Sequence, residues 1–187
     1  MHKDIPLIIP EVNEDVLNNT TRKIIANPNC STIQMLVALY PINQINKIKK
    51  IVVSTYQSVS GAGQKAINEL SEQSKNCLNN EQVIIRNFPK RIAFNVIPQI
   101  DVFTENSFTK EEMKMVNESK KILDKDIEVN ATCVRVPSYI GHAESIYIEL
   151  EKKTELSFLE EALKNAKGVV FNKEHYDTPI DSVDKEY

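Results

Sequence analysis

Apolar and polar residues recur along the chain with two different periods, which predicts both strands and helices. Residues 47–56 (KIKKIVVSTY) pass from charge into a β-branched run, and residues 127–136 (IEVNATCVRV) and 145–150 (SIYIEL) alternate. All three are predicted strands. Residues 33–40 (IQMLVALY) are almost wholly apolar and predict a buried helix that Pro41 ends. Because only a short turn separates the last two strands, we expect them to pair or lie side by side.

Three further segments predict helices. Residues 65–78 carry a partial apolar stripe, and residues 156–166 stop before Gly168. Thr109 with Glu112 three residues later forms a capping-box pattern, typical of the start of a helix. Shorter extended segments are predicted at residues 5–10, 22–26, 92–98, 100–103 and 169–171. This mixture indicates an α+β domain with a mixed, largely antiparallel sheet and helices packed on one face.

Composition narrows the class of protein. The chain has 187 residues, of which 41% are hydrophobic and 26% charged, so it can bury a core as one domain. A net charge of −3 does not favour a nucleic-acid partner, and no apolar run approaches the ~18 residues of a membrane span. Cys30, Cys77 and Cys133 show no metal-ligand spacing, so we expect free thiols, no metal and a cytoplasmic location.

Cys30 occupies a position suited to a nucleophile. It follows the turn Asn27-Pro28-Asn29 and precedes the apolar helix, whose free N–H groups and dipole favour a thiolate. Ser31 and Thr32 are candidate caps for the same turn. The alternative is a cysteine that simply packs at a helix start.

Three polar residues lie near strand ends. His142, next to Gly141, can carry protons near neutral pH, or it can be a core histidine with satisfied hydrogen bonds. Arg135, near the end of an apolar strand, can pair with a carboxylate of a substrate or with one at the sheet rim. Gln57 follows a strand, and its amide can orient a carbonyl group.

A glycine-containing loop and a pair of charges add weaker signals. Backbone N–H groups in the loop suit an anion, although the loop lacks the GxGxxG pattern; its residues are Ser60, Gly61, Ala62 and Gly63. Glu111 and Lys114 lie one helical turn apart and share a face. Without further context, they are a solvated ion pair.

Together, these segments resemble the aspartate-semialdehyde dehydrogenase family. The motifs NPNCST, STYQSVSGAG and CVRVPSYIGH occur in the family's order, and the resemblance covers nearly the whole chain. It implies a fold like the C-terminal domain of glyceraldehyde-3-phosphate dehydrogenase, and a homodimer. It also implies roles at matching positions: nucleophile Cys30, acid/base His142, acyl-orienting Gln57, carboxylate-binding Arg135, amine-binding Glu111 (with Glu112 the rival) and phosphate-binding Lys114. Asn29 and residues 58–63 would border the phosphate and nicotinamide sites.

The implied reaction is the NADPH-dependent reductive dephosphorylation of L-4-aspartyl phosphate to L-aspartate 4-semialdehyde, through a cysteine thioester. It belongs to lysine, threonine and methionine biosynthesis and the diaminopimelate route. Two alternatives are the related acyl-phosphate reductase of arginine biosynthesis, whose substrate is N-acetylated, and a Cys/His thiol hydrolase. The free amine that Glu111 would bind disfavours the former.

The chain lacks two sequence features that the family has. Neither the family's GxTGxxG nucleotide-binding run nor its tryptophan-containing C-terminal helix occurs. We therefore expect residues 1–187 to be the catalytic and dimerisation domain, with most of the NADP site in a missing N-terminal domain. Alone, the chain is expected to bind NADP(H) weakly and to be inactive; a preference for NADP over NAD stays open.

Overall fold

The structure, a computed structural model, describes residues 4–183. Its helices and strands, in chain order, are α1 (Pro10–Asn13), a 3₁₀-helix (Glu14–Asn19), α2 (Cys30–Ile45), β1 (Ile48–Gln57), a second 3₁₀-helix (Val59–Ala62), α3 (Gln64–Leu78), α4 (Lys110–Ile122), β2 (Glu128–Arg135), β3 (His142–Leu150) and α5 (Leu156–Lys164). The three long predicted strands and the predicted helices are therefore confirmed, although their ends shift. Among the described residues, no helix is long and apolar enough to cross a bilayer.

The three strands form one mixed sheet in the order β2-β1-β3. β1 is central, parallel to β2 and antiparallel to β3. The prediction that β2 and β3 are neighbours is wrong. The chain between them crosses the end of β1, where Val59 and Ser60 donate backbone hydrogen bonds to Ser138 and Tyr139. It thereby reaches the opposite edge of β1.

The helices cover one face of the sheet, as predicted. The core between sheet and helices contains Ile51, Val53, Ala131 and Cys133 from the strands and Met35, Leu36 and Met115 from α2 and α4. On the opposite face, Val52, Tyr56 and Tyr147 are exposed in the single chain. The sheet thus has one buried face that carries the core and one open face that residues 4–183 do not cover.

α2 continues through Pro41 to Ile45, so the prediction that Pro41 ends the helix is wrong. Proline removes one backbone donor and crowds the preceding turn, at a cost of about 3 kcal/mol. Leu39 and Ile42, on either side of Pro41, are buried in the core. Packing on both sides of the proline outweighs the lost hydrogen bond.

Most of the predicted short extended segments do not form strands. Residues 92–98 and 100–103 make single bridges, from Ile97 to Arg135 and from Phe103 to Thr109, and residues 22–26 make one through Ala26. Residues 169–171 have no assigned strand. Their apolar side chains can pack without a continuous ladder, as Ile92 and Ile97 do in a second core beside α3. The alternation of apolar residues was too short to specify a pairing partner.

Candidate active site

The end of β1 brings three predicted site residues into one row of the sheet. Gln57 pairs with Arg135, the last residue of β2, on one side and with His142, the first residue of β3, on the other. Residues directly opposite each other project from the same face. Gln57 is 1% exposed, and its Nε2 donates to the hydroxyl of Thr55 at 3.2 Å. The register therefore sets a guanidinium, an amide and an imidazole side by side.

Ser58, the residue after β1, holds both outer members of this row. Its carbonyl oxygen accepts a 2.6 Å hydrogen bond from Nη1 of Arg135. Its backbone N–H donates to Nδ1 of His142 at 3.2 Å. Because Nδ1 accepts this bond, the neutral imidazole carries its proton on Nε2. His142 is thereby prepared to donate from Nε2.

The turn after Ser58 engages most of the backbone N–H groups that were predicted to suit an anion. Three of its donors bond within the fold: Ser60 to the carbonyl of Tyr139, Gly61 to that of Ser58, and Gly63 to that of Ser60. Ala62 closes the short 3₁₀-helix. Three of the four N–H groups are thus engaged within the fold, and the anion site at residues 60–63 stays a prediction.

Gly61 instead allows the turn to lie close to the row. A Cβ atom at this position would stand 3.0 Å from Nη1 of Arg135 and 3.5 Å from Nε2 of His142. A contact of 3.0 Å is tighter than carbon normally tolerates, so a side chain here would displace the guanidinium. Gly61 therefore helps to define the space beside Arg135 and His142.

Cys30 is exposed and is the first residue of α2. Its helix is capped by Asn29, whose Oδ1 accepts hydrogen bonds from the N–H groups of Ser31 at 3.0 Å and Thr32 at 3.4 Å. The hydroxyls of Ser31 and Thr32, the predicted caps, are instead buried without a hydrogen-bond partner. These two residues already lie inside the helix, whereas Asn29 has the extended backbone of a cap.

α4 distinguishes between its two adjacent carboxylates. Glu112 completes the predicted capping box and also accepts a 3.1 Å hydrogen bond from a backbone N–H of β2. Glu111 accepts a 2.8 Å hydrogen bond from Nδ2 of Asn29 and lies 3.2 Å from Nζ of Lys114. Glu111, rather than its rival Glu112, thus faces the start of α2.

Charges around Cys30 act on one another. Burial lowers the pKa of Arg135, against the opposing effects of Glu111 and Cys30, so that the net pKa lies below its ordinary value. Burial also acts to lower the pKa of Lys114, but the charge of Glu111 and its hydrogen bond outweigh it, and the pKa is raised. Both cations remain charged at neutral pH, and Cys30 lies within electrostatic reach of Arg135.

A second row lies next to the first, one residue pair further along the buried face. Thr55 pairs there with Cys133 on β2 and with Glu144 on β3. Both carboxyl oxygens of Glu144 are buried and have no hydrogen-bond partner among the described residues. Burial raises the pKa of Glu144 to about 8; nearby His142 lowers it and Cys30 raises it. Burial also raises the pKa of Cys133 to about 12. At neutral pH this row holds an uncharged acid and an uncharged thiol.

One cleft lies between α2 and the start of β3. Gln34, one helical turn after Cys30, lines this cleft together with His142 and Pro179. Pro179 packs over the bend before β3, where Gly141 has φ +78° and a Cβ would stand only 2.6 Å from the proline ring. Cys30 is not among the residues that line this cleft, but it and His142 both lie within electrostatic reach of Glu144. Among residues 4–183, no cluster of His, Cys, Asp and Glu is placed to hold a metal ion.

Two residues in this region did not emerge from the sequence. Glu144 lies two residues after His142 on a strand, and strand alternation puts both on one face. Glu118 lies seven residues after Glu111, two helical turns along the same face of α4. Its Oε2 accepts a 2.8 Å hydrogen bond from the backbone N–H of Asn29. Periodicity relative to the predicted site residues could have found both.

Comparison with known proteins places this arrangement in a family. The profile described as "Semialdehyde dehydrogenase, dimerisation domain" matches residues 39–186, so the chain belongs to that family. More particularly, the aspartate-semialdehyde dehydrogenase of Aquifex aeolicus (strain VF5) is 54% identical over 173 residues, which are 91% of this chain and 51% of that protein. The chain spans about half the length of the curated relatives it matches.

Solved structures agree with the predicted fold class. The crystal structure of aspartate semialdehyde dehydrogenase II from Vibrio cholerae, complexed with ASA, superposes with a TM-score of 0.91 at 48% identity, covering 95% of this chain and 54% of that one. The Candida albicans enzyme with NADP has a TM-score of 0.61 at 22% identity, covering 89% of this chain and 46% of that one, and shows the fold alone.

Proposed function

We propose that residues 1–187 form the catalytic and dimerisation domain of an aspartate-semialdehyde dehydrogenase. The observation that carries the proposal is that Cys30, at the start of α2, and Glu111 both lie within electrostatic reach of Arg135 in the Arg135–Gln57–His142 row. The reaction is the conversion of L-4-aspartyl phosphate to L-aspartate 4-semialdehyde. It lies on the route to diaminopimelate, lysine, threonine and methionine. The likeness to the Aquifex and Vibrio proteins supports this choice of substrate.

Substrate binding follows from the charges of the site. Arg135 binds the substrate α-carboxylate, because a guanidinium forms two parallel hydrogen bonds with it. Glu111 binds the substrate amine; Lys114, paired with Glu111, and the side chain of Asn29 lie next to the phosphate. An N-acetylated substrate would leave the buried carboxylate of Glu111 without a cation from the ligand. The free amine is therefore preferred.

Covalent catalysis begins at the sulfur of Cys30. The thiolate attacks the acyl carbon, the bond to phosphate breaks, and inorganic phosphate leaves with the electron pair. Gln57 orients the carbonyl of the resulting thioester. The Nε2 proton of His142 hydrogen-bonds to the carbonyl oxygen and stabilises the negative charge that grows there during reduction. Cys30 leaves as a thiolate when the aldehyde forms.

NADPH, when bound, supplies the hydride that reduces the thioester. The residues of this chain fit it only in part: the turn at residues 60–63 borders the nicotinamide, but three of its four N–H groups are engaged within the fold. The chain has no GxTGxxG run to hold the pyrophosphate. We therefore assign most of the nucleotide-binding contacts to a separate domain, and we expect this chain to bind NADP(H) weakly.

The open face of the sheet suits a homodimer. Val52, Tyr56 and Tyr147 are exposed there in the single chain, and aromatic residues are typical of interfaces. The family description, a dimerisation domain, supports this role. Light scattering is expected to give twice the 21.3 kDa of one chain; a particle of one chain's mass would contradict it.

The activity is tested in a full-length protein in which this chain replaces the matching half of the Aquifex relative. We expect phosphate-dependent reduction of NADP⁺ with L-aspartate 4-semialdehyde and little with N-acetylglutamate semialdehyde. Cys30→Ala should lower turnover by at least about a thousandfold, with an unchanged circular dichroism spectrum. Preference for the N-acetylated substrate would indicate the arginine-pathway reductase. Cys30-dependent hydrolysis of an ester substrate without NADP⁺ would indicate a thiol hydrolase.

A further inference from the structure

Asn29, the residue before Cys30, is held between two carboxylates of α4. Its backbone N–H donates to Oε2 of Glu118 at 2.8 Å, and its Nδ2 donates to Oε1 of Glu111 at 2.8 Å. Its Oδ1 caps the first N–H groups of α2, and its carbonyl oxygen accepts from Ile33 at 2.9 Å. Every polar group of Asn29 therefore has a partner, and two of these partners come from another helix.

Glu118 is 8% exposed, and burial of a carboxylate is costly unless hydrogen bonds stabilise it. The N–H that it accepts lies at the N-terminal end of α2, where backbone donors have no partner within the helix. A carboxylate at a helix N-terminus is favourable for the helix. Glu118 thus satisfies a donor immediately before the nucleophile and aligns with the dipole of the nucleophile's helix.

One face of α4 carries both this contact and the predicted substrate-binding residues. Glu111, Lys114 and Glu118 follow at intervals of three and four residues, which places them in a row along the helix. Glu111 and Glu118 are both bonded to Asn29. A single rigid helix therefore fixes the distance between the amine-binding carboxylate and the start of α2.

We propose that Glu118 is a positioning residue for Cys30, which holds the backbone of Asn29 and so keeps the sulfur at the start of α2 in register with the Arg135–Gln57–His142 row. The inference rests on the proposed function, in which Cys30 is the nucleophile. Glu118 acts through Asn29, and the substrate is bound by Glu111 at the other end of the same face. Without Glu118, the N–H of Asn29 loses its acceptor and the first turn of α2 loosens.

Two variants separate the effect of the hydrogen bond to Asn29 from the effect of the negative charge of Glu118. Glu118→Gln and Glu118→Ala both remove the negative charge, but only Gln keeps an oxygen that can accept from Asn29. The hydrogen bond that Gln keeps and Ala loses joins neutral groups, and its loss corresponds to about a fivefold change. We therefore expect Cys30 of the Ala variant to react with iodoacetamide about fivefold more slowly than Cys30 of the Gln variant.

The reaction is followed in this chain by peptide mass spectrometry, which resolves Cys30 from the half-buried Cys77 and the buried Cys133. Circular dichroism and a thermal melt check that each variant is folded. If the Ala variant is unfolded, Glu118→Leu replaces it, since Leu is uncharged like Gln and fills the space but cannot accept a hydrogen bond from Asn29. Equal rates for Gln and for the folded Ala or Leu variant would overturn the inference.

The full-length enzyme adds a readout that a merely structural role would not move. A positioning role predicts that Glu118→Ala lowers kcat about tenfold with little change in the KM for aspartate semialdehyde, and that Gln restores kcat. A rise in KM alone would show that Glu118 contacts the substrate and would overturn the inference. If wild-type Cys30 reacts no faster than Cys77, it is the proposed function that fails.

Discussion

Replacement of Glu144 by Gln tests the second row of the buried sheet face. Gln has nearly the same shape as Glu but cannot ionise, so the variant removes the titration and keeps the packing. Both oxygens of Glu144 are buried, with no hydrogen-bond partner in residues 4–183, and burial raises its pKa to about 8. The wild-type chain should therefore lose stability as pH rises, and the variant should lose less.

The sign and size follow from the pKa. The folded chain holds the Glu144 proton up to about pH 8, whereas the unfolded chain releases it near the ordinary value of 4.5. The stability that comes from the protonated Glu144 is fully present below its ordinary pKa. It is lost progressively as pH rises from that value to the pKa of the folded chain. The decline is about 1.4 kcal/mol per pH unit, or about 5 kcal/mol over the whole shift. That is a large part of the stability of one domain.

Urea unfolding at a fixed protein concentration, between about pH 5 and about pH 8, measures this slope. Glu149→Gln, at an exposed position of the same strand, is the matched control. His142, Cys30 and Cys133 are the ionisable groups that act with Glu144. The comparison is therefore repeated in His142→Gln and Cys30→Ser backgrounds. A constant difference between wild type and Glu144→Gln at every pH would refute a neutral buried acid.

Three further substitutions test contacts of the fold and the site. Glu69→Ala should lower the free energy of unfolding by about 3 kcal/mol, since Glu69 accepts four hydrogen bonds in the second core; the exposed Glu72→Ala should leave urea unfolding nearly unchanged. Gly61→Ala should raise the KM for aspartate semialdehyde more than it lowers kcat, because the new methyl group displaces Arg135. Lys114→Gln should raise the KM for phosphate; an unchanged value would remove Lys114 from that site.

Local signals predicted the elements that carry the site. The start of α4 depends on Thr109 and Glu112, which lie within one turn of each other, and the capping box is present as predicted. Cys30 was predicted at a helix start because the turn and the apolar run are adjacent in sequence. Such features depend on residues that are neighbours in the sequence, so they can be predicted without knowledge of the tertiary structure.

Features that depend on distant contacts were less accessible. The order of the strands follows from hydrogen bonds that residues 138 and 139 make with the turn after β1, and no local pattern encodes these. The helix continues through Pro41 because the core packs on both sides of it. The role of Glu118 follows from its hydrogen bond to Asn29, which precedes another helix. The raised pKa of Glu144 follows from its burial in the folded chain, beside His142.

The most direct test of the account is capture of the thioester on Cys30. The full-length protein containing this chain is mixed with L-aspartate 4-semialdehyde and NADP⁺ without phosphate, so that the acyl group has no acceptor. If Cys30 is the nucleophile, mass spectrometry will find one aspartyl group on Cys30, hydroxylamine or phosphate will remove it, and His142→Gln will slow its formation. Turnover with the aspartyl group on another residue, or with no covalent adduct, would contradict the account.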